Sequence, residues 1–168
     1  VYTAAAGGSV EIMKSLRKHG FNLDQKDKDG WTLLHVAAVE SKIGMIEFLL
    51  AEGLDKDARN MRGESAYHVA LAAGSAEAAD CLRKAGADIS APRFPELKGP
   101  YMGQIPPGDR PEMFLPGIVS GHYRAHSAIV FSPDGKEAYW TEMSPPEGRV
   151  MGMRMVGNKW SYPQPAFE

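Results

Sequence analysis

The stretch Asp27-Lys28-Asp29-Gly30-Trp31-Thr32-Leu33-Leu34-His35-Val36-Ala37-Ala38, closed by Ile46-Glu47-Phe48-Leu49-Leu50-Ala51-Glu52-Gly53, decides the fold of the first half of this chain. Gly30 supplies a turn conformation that other residues tolerate poorly. Thr32 is placed to cap the N-terminus of a first helix. Ala37 and Ala38 are small enough to let neighbouring helices approach. Met45, Ile46, Leu49 and Leu50 form an apolar face at helical spacing, and Gly53 ends that second helix as a left-handed cap. The unit predicted is a turn followed by two short antiparallel helices.

The same unit recurs every 33 residues. Gly20, Gly53 and Gly86 keep that step, as do Leu16, Leu49 and Leu82, and Ala4, Ala37 and Ala70. His35 and His68 share it, with Gly30 and Gly63. A fixed period of this length marks a stack of repeats, and such stacks present an extended binding surface rather than a reaction pocket. A further copy runs from Asn60 to Ser90 through Gly63, Ser65, His68, Ala70, Leu82 and Gly86, with Gly86-Ala87-Asp88 as its exit turn. Residues 1–26 keep the helical pair through Ile12, Met13, Leu16, Gly20 and Asn22 but lack the preceding turn, and Tyr2 falls where the repeat histidine belongs. Because each copy buries its apolar face only against neighbours, more repeats or a cap are expected before Val1.

Residues 1–90 resemble ankyrin repeats. The family's Thr-Pro-Leu-His reads Thr32-Leu33-Leu34-His35 in the middle copy and Ser65-Ala66-Tyr67-His68 in the last, so proline at the first helical position is missing from both. Ser41 replaces the glycine kept as Gly8 and Gly74, and Arg17 and Arg83 replace the second leucine kept as Leu50. Arg83 marks a more polar, terminal copy. The resemblance implies an all-α solenoid whose turn tips and inner helices face a concave side. Variable positions there are Lys28, Asp29, Trp31, Val36, Val39 and Glu40 in one copy, and Met61, Arg62, Glu64, Val69 and Ala73 in the next. The candidate partner-binding residues are Lys28, Asp29, Trp31, Val39, Glu40, Met61, Arg62 and Glu64. No turn geometry requires a tryptophan at 31. It is either a binding anchor or a cover for the adjacent repeat's turn.

Composition shifts at Ala91. Seven of the 12 prolines lie in residues 91–120, which predicts an extended connector. It carries apolar residues that call for packing: Phe94, Tyr101, Met102, Phe114, Leu115, Ile118 and Val119. Within residues 121–168 the pattern becomes that of strands. Ala128-Ile129-Val130-Phe131, Glu137 to Thr141 and Arg149 to Met155 are separated by the Ser132-Pro133-Asp134-Gly135-Lys136 turn and by a looser one at 144–148, with a further turn at Gly157-Asn158. Phe131 to Lys136 followed by Tyr139-Trp140, and then Asn158 to Pro163, resemble a WD-like β-propeller repeat of the Tol-system type. That resemblance covers about residues 100–168 and implies one incomplete, all-β antiparallel blade, since a closed propeller needs about four to eight.

The net charge of −2, with 11 basic and 13 acidic residues up to residue 90 and eight of each beyond it, points to neither nucleic acid nor an anionic membrane. No apolar run approaches the ~18 residues of a membrane span. One cysteine, Cys81, permits no internal disulfide and reads as a packing residue. His35 and His68 read as structural, each one turn after a capping hydroxyl. His122 and His126 are four apart but lie among glycines and strands, which argues against a helical zinc pair. Asp134 is explained by turn chemistry. No nucleophile–base pair, phosphate-cradling loop or metal-ligand cluster is present. The expectation is a multidomain protein-interaction module with a protein partner, no catalysis, no cofactor and no membrane insertion. The alternative is the N-terminal part of a bacterial envelope-associated propeller protein, serving as a sensor or scaffold or as an accessory to an enzyme domain further along.

Overall fold

A computed structural model describes residues 1–103, 115, 117–119, 129–144 and 147–167. The chain divides into two units, Val1–Arg93 and Phe94–Glu168. His122 and His126 lie outside the described residues.

The first unit is three helical pairs: α1 (Tyr2–Gly7) with α2 (Val10–Lys18), α3 (Leu33–Val39) with α4 (Ile43–Ala51), and α5 (Ala66–Ala72) with α6 (Ala76–Lys84). The inner helices α1, α3 and α5 pack in a row, and the outer helices α2, α4 and α6 form a second row behind them. Alanines make the inner row possible. Ala5, Ala37, Ala38 and Ala70 are fully buried. Met13, Leu33, Leu34, Met45, Ile46, Leu49, Val69 and Leu82 fill the space between the rows, and fully burying each such side chain contributes about 1.5–3 kcal/mol before entropy is counted.

The turn between the helices of each pair repeats with the sequence. The amide of Ser9 donates to the Ala4 carbonyl at 3.2 Å, that of Lys42 to Ala37 at 2.8 Å, and that of Ser75 to Ala70 at 2.8 Å. The residue just before each donor sits in the left-handed region: Gly8 at φ 71°, Ser41 at φ 51° and Gly74 at φ 73°. Ser41 therefore holds, with a side chain, a conformation that its two counterparts reach without one.

The second unit is a five-stranded antiparallel sheet that does not close on itself. Strands β1 (Val130–Phe131), β2 (Glu137–Ser144), β3 (Glu147–Val156) and β4 (Lys159–Trp160) follow in spatial order, and β5 (Gln164–Pro165) pairs with β3. The Ser132–Lys136 turn forms as expected. Glu137 N–H donates to Ser132 Oγ at 2.9 Å, and Gly135 N–H to the Ser132 carbonyl at 2.8 Å. The β2–β3 ladder runs from a Glu137–Arg154 pair to a Ser144–Glu147 pair. β5 is not anticipated from sequence, because Pro165 cannot donate to a ladder. It is accommodated at an edge, with Pro165 facing Met151 and Ala166 N–H bonding the Val150 carbonyl at 2.8 Å.

The proline-rich stretch enters this unit at Phe94. Residues Pro100–Gly103 form a 3-10 turn, and Met102, Leu115, Ile118 and Val119 join Ala138, Trp140, Met153 and Trp160 in one buried cluster. Trp160 N–H donates to the Leu97 carbonyl at 3.0 Å and its indole N–H to the Gly99 carbonyl at 3.1 Å. Met102, Leu115, Ile118 and Val119, with Phe94 beside them, thus pack as the sequence calls for, and Phe114 lies outside the described residues.

Candidate interaction surface

Each repeat turn is organised by one short polar side chain. Asp27 Oδ1 accepts from the amides of Asp29 (2.9 Å) and Trp31 (2.8 Å). Thirty-three residues on, Asn60 Oδ1 accepts from Arg62 (2.9 Å) and Glu64 (3.0 Å). The two turns are joined by Met61 N–H donating to the Asp29 carbonyl at 3.1 Å. Gly30 lies at φ 78° where a Cβ would come within 3.1 Å of the Met61 nitrogen, so glycine serves both the turn and the close approach of the next one. The sequence reading does not single out Asp27 and Asn60, although an Asx residue three before a glycine is a turn signal.

Thr32 and Ser65 begin the inner helices. In both, the histidine three residues on closes a capping box. Thr32 N–H points at His35 Nδ1 at 3.1 Å, so that nitrogen is unprotonated. The proton sits on Nε2, which donates to the Glu64 carbonyl of the next turn at 3.0 Å. Burial pushes the His35 imidazole down to about 4, against the opposing pull of its bond to Glu64. His68 repeats the arrangement with Ser65 and the Ser90 carbonyl, at 3.2 Å and 2.6 Å. Both histidines thus hold backbone.

The candidate contact residues separate by exposure. Trp31 is only 4% exposed and its ring lies against His35 with centroids 5.6 Å apart. Asp29, Arg62 and Glu64 are also buried. Glu64 accepts from the Asn60 side-chain amide at 2.8 Å. Val36 and Val69 belong to the core. Lys28, Glu40 and Met61 are exposed and Val39 is half-buried. Among the described residues no group of three or more His, Cys, Asp or Glu is placed to hold a metal.

On the outer side, α4 and α6 flank a groove of about 660 Å³ whose lining includes Ile43, Leu50 and Cys81. Burial and the nearby Glu47 carboxylate push the Cys81 thiol up. Sequence reasoning does not point to this groove.

A profile described as ankyrin repeats in three copies matches residues 1–93. An L-asparaginase of Dirofilaria immitis is 33% identical over 87 residues, covering 52% of this chain and 15% of that protein. Protein phosphatase 1 regulatory subunit 27 of Homo sapiens is 34% identical over 64 residues, 38% of this chain and 42% of that protein. Ankyrin repeat and SOCS box protein 3 of Homo sapiens is 29% identical over 96 residues, 55% of this chain and 18% of that protein. The chain spans less than half the length of each of these relatives. The matched profile covers the whole three-pair stack, with its turns recurring every 33 residues and its histidine capping boxes, and the chain belongs to the ankyrin repeat family.

Proposed function

We propose that residues 1–90 form a protein-binding module that grips a partner protein through the turn tips and inner helices, without chemistry of its own. The observation that carries this reading is the ankyrin-type stack itself, in which Lys28, Glu40 and Met61 are exposed and Val39 is half-buried. The buried Asp29, Trp31, Arg62 and Glu64 would act from beneath, by holding the two turns in shape. Family membership supports a protein as the partner, as does the likeness to a chain whose name describes a regulatory subunit of a phosphatase. The net charge of −2 gives no electrostatic footprint for nucleic acid. No helix among the described residues is long and apolar enough to cross a membrane.

The test is affinity capture with the full chain as bait, comparing wild type with a Val39→Arg, Met61→Glu double variant. Loss of the recovered protein from the variant is expected. Equal recovery overturns the reading.

For residues 121–168 we propose a single propeller-type blade. Its support is the order β1-β2-β3-β4, four neighbouring antiparallel strands in chain sequence. Such a sheet leaves strand edges to be covered, so a fragment of residues 121–168 alone is expected to aggregate. A monodisperse, cooperatively unfolding monomer would count against it.

A further inference from the structure

The middle outer helix is unlike its neighbours. α2 and α6 carry charge along their length, whereas Glu47 is the only polar side chain among the nine residues of α4, Ile43–Ala51. In the 33-residue register Leu50 stands where the flanking copies have Arg17 and Arg83, and Phe48 where they have Ser15 and Cys81. An outer helix that is apolar nearly all round calls for cover. Yet Ile43, Phe48 and Leu50 are only half-buried.

The groove between α4 and α6 exposes that apolar strip. Ile43 and Leu50 line it from α4 and Cys81 from α6, with Ala85 beyond, and its charged lining residues are Glu47, Glu77, Asp80 and Lys84. Asp80 is already engaged: Arg83 and Lys84 both pair with it and hold its carboxyl below the usual range. Glu47 and Glu77 are exposed, and their carboxylates enter no ion pair or hydrogen bond among the described residues. An apolar floor edged by two uncompensated carboxylates complements one kind of ligand, an apolar ridge flanked by cations.

We propose that the groove between α4 and α6 docks a basic amphipathic helix of another protein, with an apolar side chain on Leu50 and Cys81 and a lysine or arginine facing Glu47 and Glu77. This second surface lies on the outer helices and does not depend on the concave side being used.

Cys81 is the only cysteine in the chain, so its alkylation by iodoacetamide reports whether the groove is covered. The probe is a synthetic helical peptide with leucines at i, i+3 and i+7 and lysines between them, added to the full chain. It is expected to slow alkylation several-fold, less so as salt is raised. The same peptide with glutamate for lysine should leave the rate unchanged. Glu47→Lys combined with Glu77→Lys should abolish protection, and both residues are exposed enough for the variant to keep its circular dichroism. The Val39→Arg, Met61→Glu variant should retain protection, which separates this site from the concave one. Equal protection by the glutamate peptide, undiminished protection of the charge-reversed variant, or no slowing at saturating lysine peptide would each overturn the proposal.

Discussion

The Tyr2 hydroxyl lies 3.1 Å from the Trp31 carbonyl, and it does there what His35 does at Glu64. Trp31 O also accepts from Asp27 N–H and Glu64 O from Asn60 N–H, each at 2.9 Å. Donor, turn residue and acceptor are all displaced by the repeat length. A phenol thus replaces an imidazole in tying one repeat's inner helix to the next repeat's turn. The Gln25 carbonyl, 3.0 Å away, shares the hydroxyl.

Tyr2→Phe removes that tie and keeps the ring. The expected cost is about 1 kcal/mol, the usual net worth of such a bond, measured by urea unfolding of the full chain followed through helical circular dichroism. An unchanged midpoint would assign the hydroxyl no structural part.

Ser41→Gly is expected to stabilise the fold. Ser41 sits at φ 51° where Gly8 and Gly74 occupy the matching positions. Left-handed backbone costs a side-chain-bearing residue about 1–2 kcal/mol, part of which glycine gives back as greater freedom in the unfolded chain. A net gain of about 0.5–1 kcal/mol in the same unfolding assay is expected.

His35 makes stability depend on pH in one direction. Its folded pKa of about 4 lies below the ordinary 6.5, so the unfolded chain binds the extra proton first. The stabilisation is complete above pH 6.5 and is lost as pH falls from there through about 4. At 1.36 kcal/mol per unit the total is on the order of 3 kcal/mol. Unfolding midpoints measured at neutral pH and at steps down to pH 4 should fall accordingly, and His35→Gln should flatten the dependence.

Gly152→Val is expected to strain the sheet of the second unit. Gly152 faces Tyr139 across the β2–β3 ladder, and a Cβ there would lie 3.0 Å from Tyr139 Cε1. The ring is tethered by its hydroxyl, which donates to Glu137 Oε2 at 2.7 Å. Overpacking of this kind costs about 1–3 kcal/mol. In a Trp31→Phe background the remaining tryptophans are Trp140 and Trp160, both buried in this unit, and their fluorescence reads its unfolding.

The 33-residue step makes the helical stack legible because each recurring position has a local cause: a glycine for a turn, a hydroxyl for a cap, an alanine for a close approach. What stayed illegible depends on the residue opposite. Trp31 sits at a turn tip, where position alone leaves exposure open, and it packs on His35. Met102 and Val119 call for packing from the sequence, but that the sheet is what buries them is not legible there. β5 is hidden because pairing at an edge demands no donor from Pro165. Of the candidate contact residues, Lys28, Glu40 and Met61 are exposed and Val39 half-buried, and register alone does not separate them from the buried Asp29, Trp31, Arg62 and Glu64.

Gly63 has φ 72°, and a Cβ on it would run into the Arg93 carbonyl, while Arg93 N–H donates to the Gly63 carbonyl at 3.0 Å. Ser90 and Arg93 thereby occupy the berth that a following turn takes beside Gly30, but out of phase with the period. Lengthening the array by tandem duplication at this end would first have to evict that strip, whereas duplicating an interior copy keeps every neighbour in step. Extension by duplication is therefore disfavoured at this particular boundary.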